Sequence, residues 1–80
     1  HTYYLQNMSP KLVLSINIFA IHLLNNNLTQ ANNMMNNINS MIETIANGGQ
    51  IQYPLPYLNL LIYYHLKNGI CSYLFFLFIF

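Results

Sequence analysis

Apolar residues recur every three or four positions between Leu24 and Asn47, and the residues between them are almost all Asn, Gln, Ser or Thr. This spacing places the apolar side chains on one stripe of an α-helix. The opposite face carries a single charge, Glu43, whereas a helix in bulk water normally carries many. The polar face is therefore expected to meet other protein, lipid headgroups or confined water, and we predict that the stripe itself is an interface with a partner protein. Its members are Leu24, Leu28, Ala31, Met34, Met35, Ile38, Met41, Ile42 and Ile45.

Local signals at both ends predict one long helix over residues 10–47. Ser9 can cap its start, and Pro10 suits the first helical position because no donor is needed there. The sequence Asn47-Gly48-Gly49 supplies residues that tolerate positive φ just beyond the last periodic position. The helix would be apolar nearly all round in its N-terminal half and amphipathic afterwards. Residues 1–9 show no period and are predicted to form an extended arm.

Two prolines separate this helix from a hydrophobic C-terminal segment. Pro54 and Pro56 exclude regular helix around them, so 48–55 is predicted to be a linker. Residues 56–80 are rich in Leu, Ile and Phe, but Lys67 and its polar neighbours offset most of the free energy of membrane insertion. We expect this segment to be a membrane anchor, either as one span or as two pieces that break at 68–69. The predicted fold is all-α and not an independent globular domain.

Composition narrows the class of protein. Eighty residues allow at most one small domain, with 55% apolar and only 4% charged residues, against roughly a quarter charged in soluble domains. Such a chain is expected to depend on partners. The net charge of +1 gives no electrostatic footprint for DNA or RNA, so nucleic-acid binding is excluded.

No group of residues specifies a chemistry. Glu43 is the sole carboxylate side chain, so an acid–base pair is lacking and we predict that the protein is not an enzyme. His22, His65 and Cys71 lack metal-ligand spacing, and no metal, cofactor or small-molecule substrate is expected. Lys67 lies in an apolar segment, where a cation must be paired, solvated or snorkelled. We expect a buried ion pair with a neighbouring subunit, and the alternative is a place in a proton or lipid path.

Residue usage indicates the origin of the chain. Asn, Ile, Tyr, Leu and Phe are enriched while Arg, Asp and Val are scarce, which is typical of AT-rich coding sequence and favours an organelle genome or an AT-rich nuclear genome. With the helical pattern, this predicts an accessory subunit of a respiratory-chain or ATP synthase complex in the mitochondrial inner membrane. Its partners would be larger membrane subunits and lipids. The alternative is a soluble helical component of a ribosome-like or capsid assembly, with its apolar tail buried in a partner.

Overall fold

The computed structural model describes residues 8–70 and consists of helices joined by short turns. These residues contain no strand, so the all-α prediction is confirmed for this part of the chain. Most of the predicted arm and the stretch 71–80 lie outside the described residues. The helices are α1, Pro10–Leu24, α2, Leu28–Ala46, and α3, Leu55–His65, which is followed by a π-helical turn, Leu66–Ile70.

The start of α1 forms as predicted. The Ser9 hydroxyl accepts a hydrogen bond from the Leu12 backbone N–H at 3.2 Å, and the Ser9 carbonyl accepts one from the Val13 N–H at 3.0 Å. Pro10 occupies the first turn. The cap satisfies one of the backbone donors that every helix leaves unpaired at its N-terminus.

The prediction of a single helix over 10–47 is wrong, because the chain turns at three consecutive asparagines between α1 and α2. Asn26 has φ of 60°, a left-handed conformation that Asn tolerates better than most residues. The N–H of Asn26 donates to the Leu23 carbonyl at 3.1 Å, and the N–H of Asn27 donates to the His22 carbonyl at 2.9 Å. This pair of bonds defines a Schellman motif, which ends a helix by satisfying its last carbonyls.

The end of α2 matches the sequence-based prediction. Asn47 has φ of 50° and Gly48 has φ of 82°, and the N–H of Gly49 donates to the Ala46 carbonyl at 2.9 Å. The chain then passes through the predicted linker to Pro54, and α3 begins one residue before the predicted position 56.

The core forms where the three helices meet, and α1 packs against both of the others. The side chain of Ser15, near the start of α1, contacts that of Met41, near the end of α2, with 4.0 Å between Oγ and Sδ. The two helices therefore run antiparallel. The buried apolar residues are Leu12, Ile16, Phe19 and Leu23 of α1, Ala31, Ile38 and Ile42 of α2, and Tyr57 and Tyr64 of α3.

Within residues 8–70, no helix has both the length and the apolar character required to cross a bilayer. The predicted anchor, 56–80, lies only partly in this range. Its α-helix ends at His65 and gives way to the π-helical turn that contains 68–69. The described helices do not support membrane embedding of this segment, which stays a prediction, and 71–80 lies outside the described residues.

We expect Gly48→Ala to destabilise the fold by about 1 kcal/mol, because a Cβ at positive φ is strained. Gly69→Ala is a matched control, since a Cβ at either glycine meets no atom within 4 Å but only Gly48 has positive φ. Urea unfolding followed by circular dichroism measures both variants. Equal effects of the two substitutions would show that the backbone conformation at Gly48 does not contribute.

Candidate interaction surface

Three aromatic side chains hold α3 against the α1–α2 hairpin. The fully buried ring of Phe19 contacts the rings of Tyr57 and Tyr64, with centroid distances of 5.7 and 6.1 Å. Both pairs are tilted, an arrangement that favours contact between the edge of one ring and the face of another. The two tyrosines are seven residues apart and so lie on the same face of α3.

The hydroxyl groups of the same two tyrosines reach α2. Tyr57 Oη donates to Asn39 Oδ1 at 2.7 Å, with the Met35 carbonyl as a second acceptor at 3.3 Å. Tyr64 Oη donates to Asn32 Oδ1 at 3.1 Å. Because the two asparagines are also seven residues apart and occur in the reverse order, these bonds set an antiparallel register between α3 and α2. A shift of the register would leave buried polar groups unpaired.

The π-helical turn adds polar contacts at one end of the bundle. Lys67 Nζ donates to Asn26 Oδ1 and lies 5.0 Å from the centroid of the Tyr63 ring, within cation–π range. Asn68 Nδ2 donates to Tyr64 Oη at 3.1 Å. Within the described residues Lys67 thus contacts a neutral amide and an aromatic ring rather than a carboxylate. The predicted ion pair with a partner subunit stays a prediction.

Helix α1 exposes apolar side chains on the side opposite its core residues. Leu14, Ile21 and Leu24, with Asn17 among them, are exposed, and Leu24, at 71%, is the most exposed large apolar residue in the described part of the chain. We call these four residues the outer α1 face. A helix that is apolar on nearly every side, as α1 is, is typically covered on every side. The described chain covers only one side of α1.

Helix α3 and its π-helical turn also expose an apolar stripe. Leu55, Leu58, Ile62 and Leu66 follow helical spacing and are all exposed, Ile62 at 60%. We call them the outer α3 face. The hydroxyl groups of Tyr57 and Tyr64 point the other way, into the bundle. Both outer faces follow from spacings visible in the sequence, but nothing in the sequence indicates which side of either helix the chain itself covers.

The stripe that the sequence predicts as a partner interface lies largely inside the chain. Ala31, Ile38 and Ile42 belong to the core, and four further members are half-buried against it: Leu28, Met34, Met35 and Met41. Leu24 and Ile45 remain exposed. Contact with a partner stays a prediction, and in this fold Leu24 and Ile45 are the members of the stripe that are most accessible to one.

The remaining sequence candidates do not form a chemical site in the part of the chain that the structure describes. No group of three His, Cys, Asp or Glu residues there is placed to hold a metal ion. His22 is half-buried, and exposed His65 packs edge-on against Tyr64 with 5.2 Å between centroids. Cys71 lies outside the described residues.

An open groove of about 350 Å³ lies between the start of α1 and the end of α2. Two of its three hydroxyl groups are engaged, because Ser9 caps α1 and Thr44 donates to the Ser40 carbonyl at 2.9 Å. Lys11 is the one charged residue in its lining. The groove is therefore a weaker candidate for an interaction surface than the two outer faces.

Comparisons of this chain with protein families, characterised proteins and solved structures find no significant match. The outer α1 and α3 faces form the candidate interaction surface because they are apolar and exposed.

Burial raises the pKa of Tyr57 well above its ordinary value, and nearby Tyr53 raises it further. The folded state therefore binds this proton more tightly than the unfolded state. The resulting stability is fully present below the unfolded pKa of about 10 and is lost as pH rises above it.

We expect the stability of the protein to fall above pH ~10, with one tyrosine that ionises only as the chain unfolds. Ultraviolet absorbance of phenolate, measured alongside circular dichroism, follows the two events. Tyr57→Phe should remove this late-titrating group. If the variant kept it, the buried phenol would not be Tyr57.

We also expect Tyr57→Phe to destabilise the fold by about 1–2 kcal/mol, because the Asn39 amide loses its buried partner. Tyr63→Phe, on the exposed side of α3, is the matched control and should change stability by less than about 0.5 kcal/mol. A double-mutant cycle with Asn39→Ala measures the Tyr57–Asn39 coupling. A coupling energy of zero would contradict the role given to this hydrogen bond.

Proposed function

We propose that the protein is a structural, accessory subunit of a large membrane complex and that its outer α1 face docks onto a larger subunit. The observation that carries the proposal is the exposure of this face on a helix that is apolar nearly all round. Leu14, Ile21 and Leu24 would each bury substantial apolar area in such a contact. Burying one Leu or Ile side chain contributes roughly 1.5–3 kcal/mol.

The spacing of the outer α1 face suits a partner helix. Leu14, Asn17, Ile21 and Leu24 are separated by three, four and three residues, the alternation found along the seam of two packed helices. Asn17 places one amide within this seam, and a buried amide of this kind fixes register between helices. No charged residue lies between Lys11 and Glu43, so recognition would depend on shape and apolar contact.

Composition supports a membrane complex as the setting. The low charge and high apolar content of the whole chain fit a protein surrounded by other subunits and lipid. The AT-rich residue usage makes the respiratory-chain and ATP synthase complexes of the mitochondrial inner membrane the first candidates. In this role the protein contributes packing between subunits rather than catalysis.

Native gel electrophoresis of the tagged chain, expressed in its own cells, tests the proposal. The wild type should co-migrate with a large complex, and Leu14→Asp combined with Ile21→Asp should abolish co-migration. Asn33→Asp combined with Asn37→Asp is the matched control, because it adds the same charge on the exposed polar face of α2. Equal loss in both double variants would contradict docking through α1, and migration of the wild type as a free chain would contradict the proposed function.

Alkaline carbonate extraction separates the membrane assignment from its alternative, a component of a ribosome-like or capsid assembly. We expect the wild-type chain to stay with the membrane pellet. Release into the supernatant while co-migration persists would favour the alternative.

A further inference from the structure

We propose that the outer α3 face lies on the surface of a lipid bilayer, with Leu55, Leu58, Ile62 and Leu66 against the acyl chains. Helix α3 is 11 residues long, or about 16 Å at ~1.5 Å per residue, so it would lie along the surface and not across the ~30 Å hydrocarbon core. The inference rests on the proposed function for its membrane setting, but it concerns a different face from the one assigned to a protein partner.

The orientation of α3 in the bundle is the first observation that favours lipid contact. Its buried tyrosine hydroxyls bond to Asn39 and Asn32 of α2, while its exposed stripe consists entirely of Leu and Ile. The two tyrosine hydroxyls are therefore bonded inward, and an aliphatic strip faces outward between the exposed Asn59 and His65. This arrangement suits a helix that lies at the surface of a bilayer.

The contrast between the two outer faces favours lipid over protein at α3. The outer α1 face contains an amide, Asn17, that can specify a particular partner. The four residues of the outer α3 face carry no polar group, and the exposed polar residues Asn59 and His65 lie at its two edges instead of within it. Acyl chains offer no hydrogen-bonding groups, so a surface that meets them needs none, whereas specific protein interfaces usually combine apolar contacts with hydrogen bonds.

The residues beside the outer α3 face match the headgroup region of a bilayer. Tyr53 and Tyr63 are partly exposed, and tyrosine is enriched where membrane meets water. The Lys67 ammonium has three N–H donors; Asn26 accepts from one, and the others can bind a lipid phosphate. Lys67 is the only charged residue, counting Asp, Glu, Lys and Arg, from Leu55 to Phe80, so no acidic group in this stretch opposes an anionic headgroup.

The sequence that follows the π-helical turn continues the apolar character. Residues 74–80 are seven consecutive Leu, Ile or Phe. They lie outside the described residues and begin eight positions after Leu66, the last member of the outer α3 face. A bilayer would accommodate both the exposed stripe and an apolar sequence of this kind without a matching protein groove.

Tryptophan fluorescence tests the proposal on the full chain, which contains no native tryptophan. Ile62→Trp reports on the outer α3 face, Ile21→Trp on the outer α1 face and Asn33→Trp on the polar face of α2. The probe is a vesicle of equal parts phosphatidylcholine and phosphatidylglycerol with brominated acyl chains. We expect strong quenching and a blue shift for Ile62→Trp alone. Ile62→Trp emission that is quenched no more than that of Asn33→Trp would overturn the proposal, as would equal quenching of Ile21→Trp.

Partition into the same vesicles, without bromine, gives a second measurement. Leu58→Asn combined with Ile62→Asn should weaken binding at least about tenfold, whereas Leu14→Asn combined with Ile21→Asn should leave it unchanged. Lys67→Gln should weaken binding to anionic vesicles by about fivefold and leave binding to pure phosphatidylcholine unaltered. Circular dichroism confirms that each variant is folded.

Failure of this inference is distinguishable from failure of the proposed function. If the wild-type chain co-migrates with a large complex but Ile62→Trp is not quenched, the accessory role stands and lipid contact at α3 is wrong. If Ile62→Trp is quenched but the chain does not co-migrate, the lipid surface stands and the subunit role is wrong.

Discussion

The hydrogen bonds from Tyr57 and Tyr64 to Asn39 and Asn32, with Phe19 against both rings, are the contacts on which the position of α3 depends. Each aromatic pair contributes roughly 0.5–1.5 kcal/mol beyond its burial, and each hydrogen bond about 1 kcal/mol net. These gains are small, but the cost of leaving a buried amide or phenol unpaired is about 1–3 kcal/mol. The contacts therefore act mainly by excluding other registers of α3.

This way of docking α3 determines the chemistry of the molecular surface. Because Tyr57 and Tyr64 face inward, Leu55, Leu58 and Ile62 of α3 face outward, and α1 likewise has exposed apolar residues on the side away from the core. Helix α2 is the opposite case, with an exposed face of Asn, Gln, Ser and Thr. The surface of the bundle is thus largely apolar along α1 and α3 and polar along α2. It carries almost no charge by which a partner could be recognised electrostatically.

The sequence predicts where helices begin and end better than it predicts which helices pack against each other. The caps at Ser9 and at Asn47-Gly48 are readable because they depend on neighbouring residues alone. The turn at Asn26 is concealed because the apolar period continues across it, from Ile21 and Leu24 to Leu28. The match of Tyr57 and Tyr64 with Asn39 and Asn32 has an equal seven-residue spacing in the sequence, but spacing does not state which helix packs on which. For the same reason the sequence alone assigns the apolar stripe of α2 to a partner protein. In the fold, α1 and α3 cover most of this stripe.

The free energy that covering the outer faces would contribute is comparable to the typical stability of a small domain. The two faces contain seven Leu and Ile side chains besides Asn17. At roughly 1.5–3 kcal/mol for each full burial, covering even half of their area would contribute several kcal/mol. Small domains are typically stable by about 5–15 kcal/mol. A ligand or surface that binds only the folded chain raises its stability by the free energy of binding. If the outer faces bind protein and lipid as proposed, folding of this chain and its attachment would be coupled, because the few polar contacts that place α3 also determine which apolar residues are exposed.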